Sequence, residues 1–274
     1  TLSHNQGTFN KIPTAKHRQQ QAGNYQNQIF KMIEGEKLGS FWGYTFAGIW
    51  QEDEVNAPFV DANGQTNGKT NGEVYKVKPG NSKYVDINKD GVYNDADQGI
   101  IGCGQPTFNW GWNNTFNYKN FDFSFFVVGF HGFDIYNATH QMGYNLIKSQ
   151  QVAGVTPMRE LLNRWTPTNT NTNIPGFVNG GTENKDFFST RFVENGSFIK
   201  MKSITLGYTL PETACRALGI TNLRVYASVQ NPFHITNYSG LDPEATMGSP
   251  LVQGVDWGSY PNSRNYLIGL NFSF

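Results

Sequence analysis

The feature that most constrains this chain is two-residue alternation sustained over runs of about ten residues. From Phe108 to Tyr118 the even positions carry Phe108, Trp110, Trp112, Asn114, Phe116 and Tyr118, and the odd ones Asn109, Gly111, Asn113, Thr115 and Asn117. Apart from Asn114, one face is aromatic and the other polar. Successive side chains of a strand point to opposite faces, so the run predicts a strand with one apolar and one wet side. A turn at Lys119-Asn120 leads into Phe121–Phe130, where Phe121, Phe123, Phe125 and Val127 repeat the pattern until Phe126 and Val128 break it. The same reasoning predicts strands at Ile199–Thr209 and Leu223–Asn231, joined through Pro211 and Gly219, and at Tyr266–Phe274.

Strands of this length cross a bilayer when tilted. Composition points the same way, because aromatics equal all charged residues at 15% each, beside 30 glycines. Closed antiparallel sheets use aromatics at the lipid interface and Gly and Asn in turns. The sequence has no long unbroken apolar run of the kind a transmembrane helix needs, which says nothing against a strand that is apolar at every second position. The 21 basic and 21 acidic residues cancel without a basic stripe, so nothing points to nucleic acid. Cys103 and Cys215 are too few for a disulfide framework and are expected to be free. The expectation is an all-β fold, a transmembrane antiparallel β-barrel. Alternation also fits a secreted surface β-sandwich that binds carbohydrate; a continuous outward apolar belt separates the two readings.

Elsewhere, Phe41–Trp50 is aromatic and Gly-spaced and predicts a first strand, and residues 51–83 read as loop with Asn-Gly at 63–64, 67–68 and 71–72. Thr156–Trp165 predicts a short helix with Thr156 as cap, Pro157 at its first position and Met158, Leu161, Leu162 and Trp165 on one face. The stretches 166–197 and 232–261 read as long loops, ordinary on one side of a barrel. In the last run Tyr266, Ile268, Leu270, Phe272 and Phe274 share a face and the chain stops on an aromatic. This end resembles the C-terminal signature of bacterial outer-membrane proteins, which the barrel-assembly machinery reads, with Phe272 and Phe274 as the signal.

A chemistry-bearing motif runs from Asp86 to Asp97, DINKDGVYNDAD, with the spacing of a calcium loop. Asp86, Asn88, Asp90 and Asp97 would offer side-chain oxygens and Val92 its carbonyl to Ca²⁺ or Mg²⁺, in a structural role. The rival is a loop closed by its own Asx turns. The five histidines have no metal-ligand spacing, and no nucleophile motif or phosphate loop occurs, so no enzyme is expected.

With these residues in view, the chain from about residue 30 onward resembles the SusC/RagA family of TonB-dependent outer-membrane transporters. The resemblance rests on Gly39 to Tyr44 with Gly48-Ile49-Trp50, on Pro79-Gly80, Tyr84 and Asp86 to Gly91, and on Arg164-Trp165 and Ile174-Pro175. It continues through Gly196 to Lys200, Leu206 to Pro211, Gln230-Asn231-Pro232, Tyr238 to Glu244, Tyr260-Pro261 and Gly269 to Phe274. Asn81 and Lys200 depart from the residues usual in the family. The resemblance implies a plugged barrel of about 22 strands, a SusD-like surface lipoprotein, TonB acting through an N-terminal part, and import of oligosaccharides or peptides across the Gram-negative outer membrane. Roughly eight to ten strand candidates fall short of that size. Residues 1–274 are therefore expected to be the C-terminal portion, with plug and earlier strands upstream.

Overall fold

The computed structural model describes residues 1–4, 6–8, 10, 17–21, 28–144, 158–177, 187–244 and 253–274. One large antiparallel sheet runs in the order Leu2–His4, Phe108–Tyr118, Phe121–His131, Phe198–Thr209, Asn222–Gln230 and Asn265–Ser273, with His234–Thr236 also paired to the fourth of these. Every strand expected from alternation lies in this sheet. Among the described residues, Asn265–Ser273 pairs with Asn222–Gln230 and not with the Phe41–Trp50 segment.

Registry turns the sequence pattern into two surfaces, because directly opposed residues share a face. Trp112 opposes Val127, Phe116 opposes Phe123, Phe123 opposes Leu206, Leu206 opposes Ala227, and Ala227 opposes Ile268. One face is therefore apolar across the whole width of the sheet. The other carries Asn113, Thr115, Ser124, Thr205, Ser228 and Asn271. Register also separates the ends. The tight turn at Lys119, the short helix Glu212–Ala217 and Phe274 lie at one end; 132–197 and 231–264 depart from the other.

Phe126 stays exposed on the wet face between Asn113 and Ser203, whereas Val128 breaks the alternation because that face dries out toward the long-loop end. There Phe130 stacks on Phe198 at 5.2 Å and joins Phe133, Ile135 and Tyr238. The main dry core lies beyond the sheet, where Ile29, Phe30, Phe41, Tyr136, Phe188 and Phe192 are buried together. Small sheets assemble it: Val193–Asn195, Asp134–Asn137 and Val255–Asp256 in one, and His17–Gln21, Gln28–Ile33, Ser40–Tyr44 and Gln98–Cys103 in another.

Three sequence expectations are corrected here. Phe41–Trp50 is not one strand: Ser40–Tyr44 pairs with Gln98–Cys103, whereas Phe46–Ile49 pairs with Ser82–Tyr84. The break falls at Thr45, whose carbonyl accepts from Val85 N–H, and Gly48 at φ 114° takes a backbone form closed to most residues. Residues 51–83 are not plain loop but hold helices Glu52–Asn56 and Asn71–Tyr75 and hairpin Pro58–Val60 with Thr66–Thr70. Thr156 and Pro157 lie outside the described residues; the part that follows is a 3₁₀ turn, Arg159–Asn163, with Leu161 buried and Leu162 exposed. Trp165 lies past its end, lying against Gly80 and donating from Nε1 to Gln51 Oε1 at 2.9 Å.

On the polar face Asp122 and Arg224 pair at 2.5 and 2.9 Å across the strand between them, because the residue in the middle is Gly207. A side chain there would meet both partners. Gly207→Val should therefore part the ion pair and lower stability by roughly 1–3 kcal/mol, measured by urea unfolding of the whole protein in lipid vesicles. A midpoint within error of the parent would overturn this account.

Candidate functional site

The sheet presents a partition surface. Trp112, Phe116, Leu206, Ile268, Leu270 and Phe272 all lie on the apolar face, and all are exposed, Ile268 to 81%. No second sheet covers them among the described residues, so the face is not half of a dry sandwich. A contiguous apolar surface of this extent marks contact with lipid or protein. The opposite wall is richer in amides and hydroxyls, with Thr205 and Ser228 hydrogen-bonded at 2.8 Å, and also carries Phe126, Tyr226 and Leu267. Its charges are compensated locally, Asp122 by Arg224 in the sheet and Lys200 and Lys202 by loop carboxylates.

The 86–97 loop takes the turn its spacing predicts. Gly91 sits at φ 81° and its N–H donates to Asp86 Oδ2 at 2.8 Å. Asp90 N–H donates to Asn88 Oδ1, Val92 N–H to Asp90 Oδ1, and Asn94 Nδ2 to both Asp90 Oδ2 and the Val92 carbonyl. Those contacts, the Val92 N–H foremost, hold the Asp90 carboxyl below its ordinary value. Asp97 is buried, with its oxygens accepting from Ile87 N–H and Asn94 N–H. Asp86 Oδ1 is buried and meets no donor. Burial and the Asp86 contact drive the Tyr75 hydroxyl upward, and burial pushes Tyr93 up to about 12. The predicted oxygens thus share one loop, yet among the described residues no three His, Cys, Asp or Glu side chains converge as a metal group.

A second cluster escaped sequence reasoning. Lys200, on the wet face and 2% exposed, donates to Asp242 at 2.9 Å and Glu244 at 2.7 Å; Lys202 also reaches Glu244. Asn262 closes the ring through its backbone and side-chain amides on Asp242, each at 3.1 Å. Burial pushes both carboxyls up, but the lysine ammonium groups and, for Asp242, backbone N–H groups outweigh it and hold both below the ordinary carboxylate range. A parallel latch joins Tyr238 to Asp256 at 2.6 Å. Among the described residues His4 Nδ1 lies 2.6 Å from the Thr107 carbonyl, His131 accepts from Trp110, and His140 faces Glu194. Cys103 and Cys215 are free.

No protein-family model matches the chain. It is 34% identical over 91% of its length to TonB-dependent receptor P3 of Formosa agariphila, and 30% identical over 72% to TonB-dependent receptor SusC of Bacteroides thetaiotaomicron. It spans 23% and 18% of those relatives, about a quarter or less. Its fold matches that of the RagAB peptide transporter at TM-score 0.70 and 21% identity, covering 100% of this chain and 26% of that one. The chain belongs to the SusC/RagA family of TonB-dependent receptors, and its all-β fold matches part of their barrel. The relatives are receptors and transporters, not enzymes.

Lys200→Met should destabilise by about 3–5 kcal/mol, because it leaves Asp242 buried without its cation. For acid, the sign follows from the lowered carboxyl values. The unfolded chain takes up protons first, so the cluster's contribution is complete above the ordinary carboxylate range and is lost as pH falls below it. Hydrogen exchange at the Glu244 and Asn262 amides, both donating to Asp242, should stay protected through neutral and mildly acid pH and open only below that range. Loss of protection at pH 6 would contradict the assignment.

Proposed function

We propose that the protein imports bulky nutrients across the outer membrane of a Gram-negative bacterium, with this chain as the C-terminal portion of a plugged barrel of about 22 strands. The observation that carries the reading is the sheet with one wide exposed apolar face and one neutral polar wall. A lipid-facing, water-lined wall needs that division. An open edge inside a bilayer would leave backbone groups unpaired, so Asn265–Ser273 is expected to meet a strand outside this sequence.

Oligosaccharide is the favoured cargo. Polyhydroxylated molecules match a wall of amides and hydroxyls whose charges are internally paired. Peptide is the second reading, favoured by the fold's likeness to a peptide transporter. A SusD-like lipoprotein would cover the long-loop side, and TonB would supply energy through the N-terminal part. The test is uptake by cells lacking the complete gene. Labelled oligosaccharide should no longer enter while peptide uptake persists; the reverse result selects peptide, and unchanged uptake of both sinks the import reading.

Phe272, on the apolar face, and Phe274, 91% exposed, are proposed as the assembly signal. Phe274→Ser should reduce the heat-modifiable barrel in outer-membrane fractions; an unchanged band would remove that role.

The 86–97 loop is proposed to hold a structural Ca²⁺ or Mg²⁺. Asp86 Oδ1 has no donor, and carboxylate oxygens that accept one N–H, as in Asp97, keep a second lone pair. Asp86, Asn88, Asp90, Asp97 and the Val92 carbonyl would supply hard oxygen ligands, at about 2.3–2.6 Å for calcium. Calcium titration of chelator-treated whole protein should show binding that Asp86→Asn abolishes; no heat or melting shift in the parent would refute it.

A further inference from the structure

We propose that a notch at the long-loop rim of the apolar face, centred on Arg264, binds the phosphate of an acyl glycolipid headgroup. The inference rests on the outer-membrane reading and goes beyond it. Arg264, Phe233, Leu241 and Tyr266 line one notch, whose polar side is formed by His234 and the buried, mutually paired Lys200 and Asp242. Two of its apolar members, Phe233 and Tyr266, belong to the lipid side of the sheet, while Lys200 and its cross-strand partner His234 belong to the polar side. Ile235 opposes Ile199, itself opposite Gly129 and so on the apolar face, and Phe233 is two residues earlier. Tyr266 opposes Val229 on that same face. Phe233, Leu241 and Tyr266 are 48%, 71% and 72% exposed.

Charge decides what such a notch takes. Lys200 and Lys202 are committed to Asp242 and Glu244, whereas Arg264 forms no ion pair among the described residues. The cluster therefore carries one cation more than it neutralises. That guanidinium stands where an acyl surface gives way to polar loops, the level at which lipid phosphates lie. A planar fork of donors matches phosphate oxygens bidentately. Acyl chains would run down the apolar face past Tyr266 and Ile268, so one ligand would satisfy both halves of the surface.

The experiment uses the full-length transporter, purified from outer membranes into phosphatidylcholine nanodiscs with lipid A either intact or dephosphorylated. Native mass spectrometry reads the retained lipid. The parent should retain intact lipid A severalfold over the dephosphorylated form. Arg264→Gln should remove that preference and Arg264→Lys restore part of it. Arg216→Gln, at the opposite end of the sheet, should change nothing. Equal retention of both lipids by the parent overturns the proposal, as does an unaltered preference in Arg264→Gln. If Arg264→Gln loses heat modifiability, the parent's comparison of the two lipids decides alone. Absence of the protein from outer membranes would sink the import reading, whereas a folded outer-membrane barrel without phosphate preference sinks only this one.

Discussion

Register is the constraint on which the rest of this structure depends. Side chains alternate with a period of two, so slipping any strand by one residue would carry its aromatics to the polar wall and its asparagines to the apolar face. Position-specific devices hold the pairing in place. Asp122 and Arg224 reach each other only because Gly207 lies between them. Tyr226 lies across Gly269 and Trp110 across Gly129, each aromatic covering its cross-strand partner's bare backbone. An aromatic over a glycine fixes one register, because a shift by one residue puts a side chain beneath the ring.

The ladder was legible in the sequence because its signal is local. A strand wet on one side and apolar on the other writes both environments into ten consecutive residues, as Phe108–Tyr118 does. The loop layer writes nothing so direct. Phe41–Trp50 reads as one aromatic strand, but its halves answer to different and distant partners, in Gln98–Cys103 and Ser82–Tyr84. The apparent helical face ending at Trp165 dissolves for the same reason, since that indole is held by Gln51 and Gly80 rather than by its neighbours.

Candidate site residues divide along the same line. The 86–97 spacing was visible because its oxygens and the glycine that turns them are consecutive, and the turn forms as spaced. The Lys200, Asp242 and Glu244 cluster was not visible, because its members stand 42 and 44 residues apart and meet only once the loop folds back. One signal could have flagged it: a lysine inside a strand whose neighbours Phe198 and Val128 are both buried needs a counter-charge from elsewhere.

Why the dry core lies outside the sheet follows from what the sheet must face. A sheet with lipid on one side and water on the other has no partner layer to bury against, so hydrophobic burial cannot hold it as it holds a soluble domain. Its own ladder and cross-strand pairs must do so. Long loops standing in water have the opposite problem, since they lack a continuous ladder and need packing to be ordered. Here they gather Phe30, Phe41, Tyr136, Phe188 and Phe192 into a small soluble-type core. The join between the two regimes is where Phe198 turns inward from the sheet and Lys200 binds the returning loop. A buried ion pair is a poor source of net stability but a strict one for geometry, because its charges tolerate few alternative partners. At this join geometry matters more than stability: it fixes where the loop layer stands over the mouth of the wall below.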